Sequence, residues 1–395
     1  MASNKKRVIE LSNNAFGKLV KSFREQREWS QGELAERWGH TREYVSLIER
    51  GKRKLDKQDQ INRLADILEI PTERLDAIGK GIPLRQGLVD KPAEADDILL
   101  QTLLEPSLST VKLSWLLWLA DGQNIPITDN LAILSERLED ALTRHRGQFL
   151  RPAQKVLAYA HEMQGKIAFD QLRYTDATGH FQEMLDLGEE LHDPNIISLA
   201  QIQRADILRK RGRYEVAINM LSVIRPTIQS ADSYVQGVCW QILARAHSAY
   251  GDQDQFLEAI DNAEAIATNQ KETIDTQYNQ FNLVEVLQER AQGYTMLWQP
   301  EKALAIYPQT DKLKPFRPIR EMGSYTIIKA QAYTYSGDIE NGIQLAMQGI
   351  DLAKVYGSRR HISRVQGMYE RLQVTKLGKH IRMKDLKEVL MNIQN

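Results

Sequence analysis

The sequence predicts an all-α chain: a bundle of five short helices at the front and a superhelical stack of antiparallel helix pairs behind it. Three observations predict this. Two short apolar stripes at helical spacing lie on either side of Gly39, each behind a capping residue, Ser30 and Thr41. Small residues then recur twelve positions apart along the second part of the chain, each pair sealed by a larger residue four positions on. Val, Ile and Thr nowhere alternate for long enough to suggest a sheet.

The 395 residues leave room for two or three domains, and a 42% hydrophobic content is enough for sizeable cores. Lys plus Arg equals Asp plus Glu at 52, so net charge names no partner. The distribution says more. Residues 1–54 hold thirteen Lys or Arg against seven Asp or Glu, and a positive front end is what a phosphate-binding module requires. The single cysteine, Cys239, excludes an intramolecular disulfide and fits a reducing compartment. Its apolar helical surroundings read as burial rather than reactivity. The polar start is not followed by the apolar run of a signal peptide. The longest apolar run, near residues 116–120, is too short to span a bilayer. A soluble cytoplasmic protein is expected.

Residues 1–12 are polar and basic and read as a frayed arm. Phe16, Leu19, Val20 and Phe23 stripe the first helix. Ser30 and Glu33 form a capping box for the second, each satisfying a free backbone N–H of the other's turn. Leu34, Ala35 and Trp38 give that helix its apolar face. Gly39 ends it, because glycine accepts the left-handed conformation of a helix stop. Thr41 caps the third helix, Val45 and Ile48 bury it, and Gly51 stops it. Arg42, Glu43, Ser46 and part of Tyr44 are left on its outer face. Ile61, Leu64, Ala65, Ile67 and Leu68 stripe a fourth helix.

In Ser30-Gln31, Glu33-Leu34-Ala35, Gly39, Tyr44-Val45-Ser46, Ile48-Glu49 and Gly51, this arrangement resembles the helix-turn-helix of the phage repressor/Cro (XRE) family. The resemblance extends over about the first 80 residues, and Ile70-Pro71 followed by Leu75 resembles the family's closing helix. It implies a recognition helix in the major groove of double-stranded DNA, with Thr41, Arg42 and Glu43 nearest the bases. Arg42 is suited to fork onto a guanine. Glu43 suits a cytosine amino group, with a solvated surface charge as an equal reading. Ser46 and Tyr44 are further contact candidates. Leu47 stands where the family often has a polar contact, and reads either as a thymine-methyl contact or as facing the domain. Gln31 matches a phosphate-contacting position, at a helix N-terminus that itself favours an anion. Arg50, Lys52, Arg53 and Lys54 follow the recognition helix and would hold the opposite phosphates, fixing register without reading sequence. A dimer on a two-fold operator is expected.

The domain reading is therefore 1–80 for the DNA-binding bundle, 81–94 for a glycine- and proline-bearing linker, and 95–395 for helical repeats that bind a ligand and dimerise. In the repeats, Gly165, Ala177 and Phe181 set the register. Ala205, Ala217 and Leu221 repeat it, then Ala291, Ala303 and Tyr307, then Ala330, Gly342 and Ala346. This pattern resembles the tetratricopeptide repeat, with units near residues 158, 198, 237, 284 and 323 and a spacing of about 40 rather than 34. Phe256 stands where a small residue is expected. A weaker helical pair is expected between residues 95 and 142, with Trp115 and Trp118 as core. The last helices, near 362–374 and 384–393, would cap the solenoid or form an interface.

In such a solenoid the first helix of each pair lines the concave wall. The register places Lys166, Asp206, Arg209, Gln241, Arg245, Glu285, Gln288, Gln292 and Gln331 there, with Asn282 one turn before Glu285. Amides suit an extended peptide, and Arg209 and Arg245 suit its carboxylate. The alternative for each is an ordinary polar helix residue facing water. A repressor-like domain ahead of such repeats resembles, in architecture, the RRNPP group of quorum-sensing receptors. That resemblance implies a cytoplasmic transcription regulator whose operator affinity changes when a short imported signalling peptide alters solenoid curvature or dimer contacts. The alternative function is an interaction scaffold that recruits a folded protein partner without peptide sensing. A phage-type switch is a third reading, close to the first in mechanism. The eight histidines show no metal-ligand spacing, and no Gly-rich phosphate loop or Gly-x-Ser-x-Gly elbow is present. No enzyme, cofactor or metal is expected.

Overall fold

The computed structural model describes residues 13–27, 29–53, 55, 58–70, 75, 93–120, 124–142, 147–269 and 281–394. They contain helices and no strand. The expected basic arm, Lys54, most of the closing helix after Ile70 and nearly all of the expected linker lie outside the described residues. So does the side chain of Glu43. The chain divides into two compact units, Met1–Lys91 and Pro92–Asn395.

The first unit holds α1 (Asn13–Gln26), α2 (Gln31–Trp38), α3 (Arg42–Glu49) and α4 (Gln58–Ile67). Phe16, Leu19 and Val20 of α1 meet Leu34, Ala35 and Trp38 of α2, Val45 and Ile48 of α3, and Ile61, Leu64 and Ala65 of α4 in one core. Phe23 and Leu75 pack against it. Helices α1 and α3 approach closely at Gly17, where a Cβ would lie 2.2 Å from the carbonyl oxygen of Ile48. That glycine lies in no turn and had no signal of its own in the sequence. A buried ion group ties α1 to the end of α3. Arg24 donates through Nε to Glu49 Oε1 at 2.6 Å and through Nη2 to Oε2 at 3.1 Å. Gln31 Nε2 of α2 donates to the same Oε2 at 2.8 Å.

The second unit begins with α5 (Ala93–Ala120) and α6 (Asn124–Leu142), the weaker pair of the sequence reading, and Trp115 and Trp118 are buried in its core. The stack continues with α7 (Leu150–Asp170) and α8 (Tyr174–Leu191), then α9 (Pro194–Lys210) and α10 (Tyr214–Val223). A short α11 (Arg225–Gln229) lies between pairs and lengthens that repeat. Then come α12 (Ser233–Tyr250) and α13 (Gln253–Asn269), α14 (Leu283–Met296) and α15 (Pro300–Leu313), and α16 (Ile319–Tyr335) and α17 (Ile339–Val355). Two last helices, α18 (Arg359–Gln373) and α19 (Arg382–Gln394), pack on α17.

The twelve-residue register is steric. A Cβ at Gly165 would lie 2.6 Å from the ring of Phe181, so α7 and α8 touch only because that residue is glycine. Ala205, Ala217 and Leu221 have no exposed surface, and neither do Ala291 and Ala303. Phe256 breaks the register for a reason that lies in the next pair. A Cβ at Gly293 of α14 would lie 2.1 Å from its ring. The small residue that accommodates Phe256 therefore comes from the following helix rather than from its partner. Phe281 against Gly237 and Tyr356 against Gly323 also seat a ring on a glycine, there one carried by an earlier helix. Cys239 is buried, and burial pushes its thiol up to about 12, which leaves it a poor nucleophile.

A clasp joins the beginning of this unit to its end. The carboxylate of Asp170, at the end of α7 and 1% exposed, accepts from Arg320 Nη1 at 2.7 Å, Ser358 Oγ at 2.8 Å and Arg360 Nε at 3.2 Å. Arg320 also donates to the carbonyl oxygens of Trp118 and Tyr356, and its guanidinium lies 4.3 Å from the Trp118 ring centroid. Gln171 donates to the carbonyl oxygen of Gly357 at 2.6 Å. Helices α5 and α7 are thereby fixed to α16 and to the turn into α18. Among the described residues no helix is long and apolar enough to cross a membrane.

Candidate functional site

In the first unit the sequence builds a rigid, capped helix pair. Ser30 Oγ accepts from Glu33 N at 3.2 Å, and Glu33 Oε2 accepts from Ser30 N at 2.6 Å. The Ser30 bonds hold the Glu33 carboxyl below its ordinary value, outweighing a weaker opposing desolvation. Gly39 sits at φ 77°, in the left-handed region, and turns the chain toward α3. Thr41 Oγ1 then accepts from Tyr44 N at 3.2 Å. These bonds fix the direction of α3 and leave Thr41 and Arg42 exposed at its N-terminal end.

The neighbouring candidates are less free. His40 stacks on Tyr44 at 4.4 Å between centroids, and Arg53 lies over the Tyr44 ring at 4.4 Å. Tyr44 thus helps place a cation beyond the end of α3. Arg50 folds back and donates through Nε to the carbonyl oxygen of Ser46 at 3.1 Å. Lys52 and Arg53 are exposed, and Ser46 and Leu47 are half-buried. Gln31, the expected phosphate contact, has its amide nitrogen committed to Glu49.

In the second unit the predicted wall is a set of ion pairs rather than a row of free donors. Arg209 donates to Asp206 at 2.6 Å within α9. Burial opposes the Asp206 charge, yet Arg209 and Arg245 hold its carboxyl well below the usual carboxylate range. Arg245 of α12 donates to Glu289 Oε1 of α14 at 2.5 Å. Gln241, Gln288 and Gln331 are buried, and Gln288 Nε2 has no hydrogen-bond partner. Gln292 is half-buried. Asn282 is exposed and caps α14, its side-chain oxygen accepting from Glu285 N at 3.1 Å. Lys166 of α7 lies 5.7 Å from the Trp115 ring. Its pKa is lowered by burial against the pull of Glu162 and Asp206.

Residues the sequence reading did not select interact with the same candidates. Glu162 is buried, and burial raises its carboxyl with Lys166 opposing. Glu289, Lys210, Arg360 and Arg364 do likewise. Glu289 follows Glu285 by one turn, a signal available from spacing. Arg360 and Arg364 sit one turn apart on α18, which lacks the small-residue register and was read as a cap or an interface.

Burial, then Glu321, push the Glu285 carboxyl up to about 7, with Lys314 opposing. The folded chain therefore keeps a proton that the unfolded chain releases near 4.5. The resulting stabilisation is complete below that pH and is lost as pH rises through about 7. Glu285→Gln is expected to come closest to the wild type at pH 4 and to gain on it by up to ~3 kcal/mol by pH 8, as read by thermal unfolding at the two pH values.

Together the capped pair α2–α3 and the stacked pairs behind it define a helix-turn-helix domain carried ahead of an array of tetratricopeptide-like repeats. Residues 15–78 match the family described as helix-turn-helix domain. Among solved structures the chain is similar to PlcR of Bacillus thuringiensis, in a crystal structure of its complex with the peptide PapR7 and DNA. The identity is 14% and the TM-score 0.40, over 92% of this chain and 100% of that one. No match was found among curated proteins.

Proposed function

We propose that this chain is a cytoplasmic, homodimeric transcriptional regulator whose operator binding is controlled by a short signalling peptide held in the repeat groove. The observation that carries the DNA-binding part is the exposed N-terminal end of α3, with Thr41 and Arg42 presented by two side-chain caps and a left-handed glycine. A helix held this way enters the major groove end-on, where Arg42 forks onto a guanine O6 and N7. Lys52 and Arg53 take the phosphates beside it. The peptide part is supported by the buried polar wall, where Gln288 and Glu289 each keep a polar atom without a hydrogen-bond partner. Such groups gain when a ligand backbone pairs with them.

An operator selected from a random duplex pool provides the test. Arg42→Ala is expected to weaken binding to that operator about ten- to a hundredfold, from the ~1–3 kcal/mol of a bidentate base contact. Lys52→Ala is expected to weaken all duplexes alike and to lower the salt slope by about one. Unchanged affinity of Arg42→Ala would overturn this docking of α3.

A further inference from the structure

The wall contains more positive charge than its ion pairs consume. Arg364 lies where the inner helices converge. The charges acting on it are Arg360 from its own helix, Glu289 from α14, Arg209 from α9 and Arg245 from α12. Lys210 feels Arg364, Arg209 and Arg360 against Asp206. The carboxylates among these neighbours are engaged by other cations, Asp206 by Arg209 and Glu289, through Oε1 alone, by Arg245. Arg360 is spent on Asp170 in the clasp, and its Nη2 lies 3.1 Å from His361 Nε2. Arg364 Nη1 is buried with no hydrogen-bond partner. Two cations on α9 and α18 are thus brought within each other's field by the closure of the unit, and among the described residues neither is ion-paired to a carboxylate.

We propose that Arg364 and Lys210 anchor a carboxylate of the bound peptide. This rests on the reading that a peptide occupies the groove, and it replaces Arg209 and Arg245 as the anchoring pair. An arriving carboxylate supplies the missing acceptor for Arg364 Nη1 and the missing counter-charge for Lys210. Charge-assisted bonds of this kind are short and directional, and a guanidinium fork suits them. Burial lowers the pKa of both groups, helped by Arg364 and Arg209 at Lys210 and by Arg360 at Arg364, which is the electrostatic state an anion relieves.

The test uses the immobilised full-length chain and three pools of random N-acetylated heptapeptides. One is amidated and free of Asp and Glu. One is amidated with a single Asp or Glu. One is free of both but keeps its terminal carboxylate. Retained peptides are counted by mass spectrometry. One of the two carboxylate-bearing pools is expected to be retained about tenfold or more over the neutral pool. Which of them it is separates a side-chain carboxylate from a chain terminus. Arg364→Gln and Lys210→Gln are each expected to erase the preference. Each should also keep or raise the Tm, because each removes an uncompensated cation. Equal retention of all three pools would overturn the anchor and leave the groove reading standing. Retention of none would overturn both. A preference that survives both variants, or a lower Tm in both, would also overturn the anchor.

Discussion

Replacing Asp170 by alanine is expected to destabilise the repeat unit by about 3–5 kcal/mol, the cost of leaving a buried charge without its partner. Asp170 and Arg320 are 1% and 3% exposed, and three donors converge on the carboxylate. Without it Arg320 loses the buried carboxylate that it shares with Ser358 and Arg360, while its bonds to the carbonyl oxygens of Trp118 and Tyr356 remain. Hydrogen exchange read helix by helix is the appropriate measurement. Protection should fall first at the end of α7, the start of α16 and the turn into α18, with the first unit unchanged. Asp170→Asn retains acceptors for part of the cluster and should cost less than alanine. A loss below about 1 kcal/mol would mean the clasp is wet and weak, as surface pairs are.

The second large effect is expected at Glu49. Its side chain takes two bonds from Arg24 and one from Gln31, and so joins α1 and α2 to the end of α3. Glu49→Ala leaves Arg24, 7% exposed, with the carbonyl oxygen of Trp29 and the outlying Glu25 as its remaining partners. A loss of about 3–5 kcal/mol is expected, comparable with the whole stability of a small domain. Hydrogen exchange should show α1 to α4 unprotected while the repeats are unaffected, and DNA binding should vanish with them. Glu49→Gln keeps one acceptor and should fall between. Full protection of α3 in the alanine variant would show that the apolar core alone holds the domain.

What was legible in the sequence was what local spacing encodes. Ser30, Glu33, Gly39 and Thr41 act within a few residues of one another, and each does in the structure what its chemistry suggested. The twelve-residue register was legible for the same reason, since both helices of a pair lie within one short stretch of chain. The clasp was not, because Asp170 and Arg320 are separated by 150 residues and Trp118 and Arg320 by 202. Nothing in the immediate sequence around Asp170 distinguishes it from a solvated carboxylate. Phe256 looked irregular because its glycine, Gly293, belongs to the next repeat. For the proposed groove wall the register named polar residues but not their pairing. Arg209 and Arg245 read as available donors, whereas each is engaged by a carboxylate on its own or the next inner helix.

The property proposed for the front domain is that it reads double-stranded DNA. The direct measurement is fluorescence anisotropy of a selected duplex titrated with the full-length chain at rising salt. Binding at about 50 mM salt that weakens linearly on a log–log scale, and is lost for Arg42→Ala at the selected sequence, is the predicted result. Failure to bind any duplex at that low salt would contradict it.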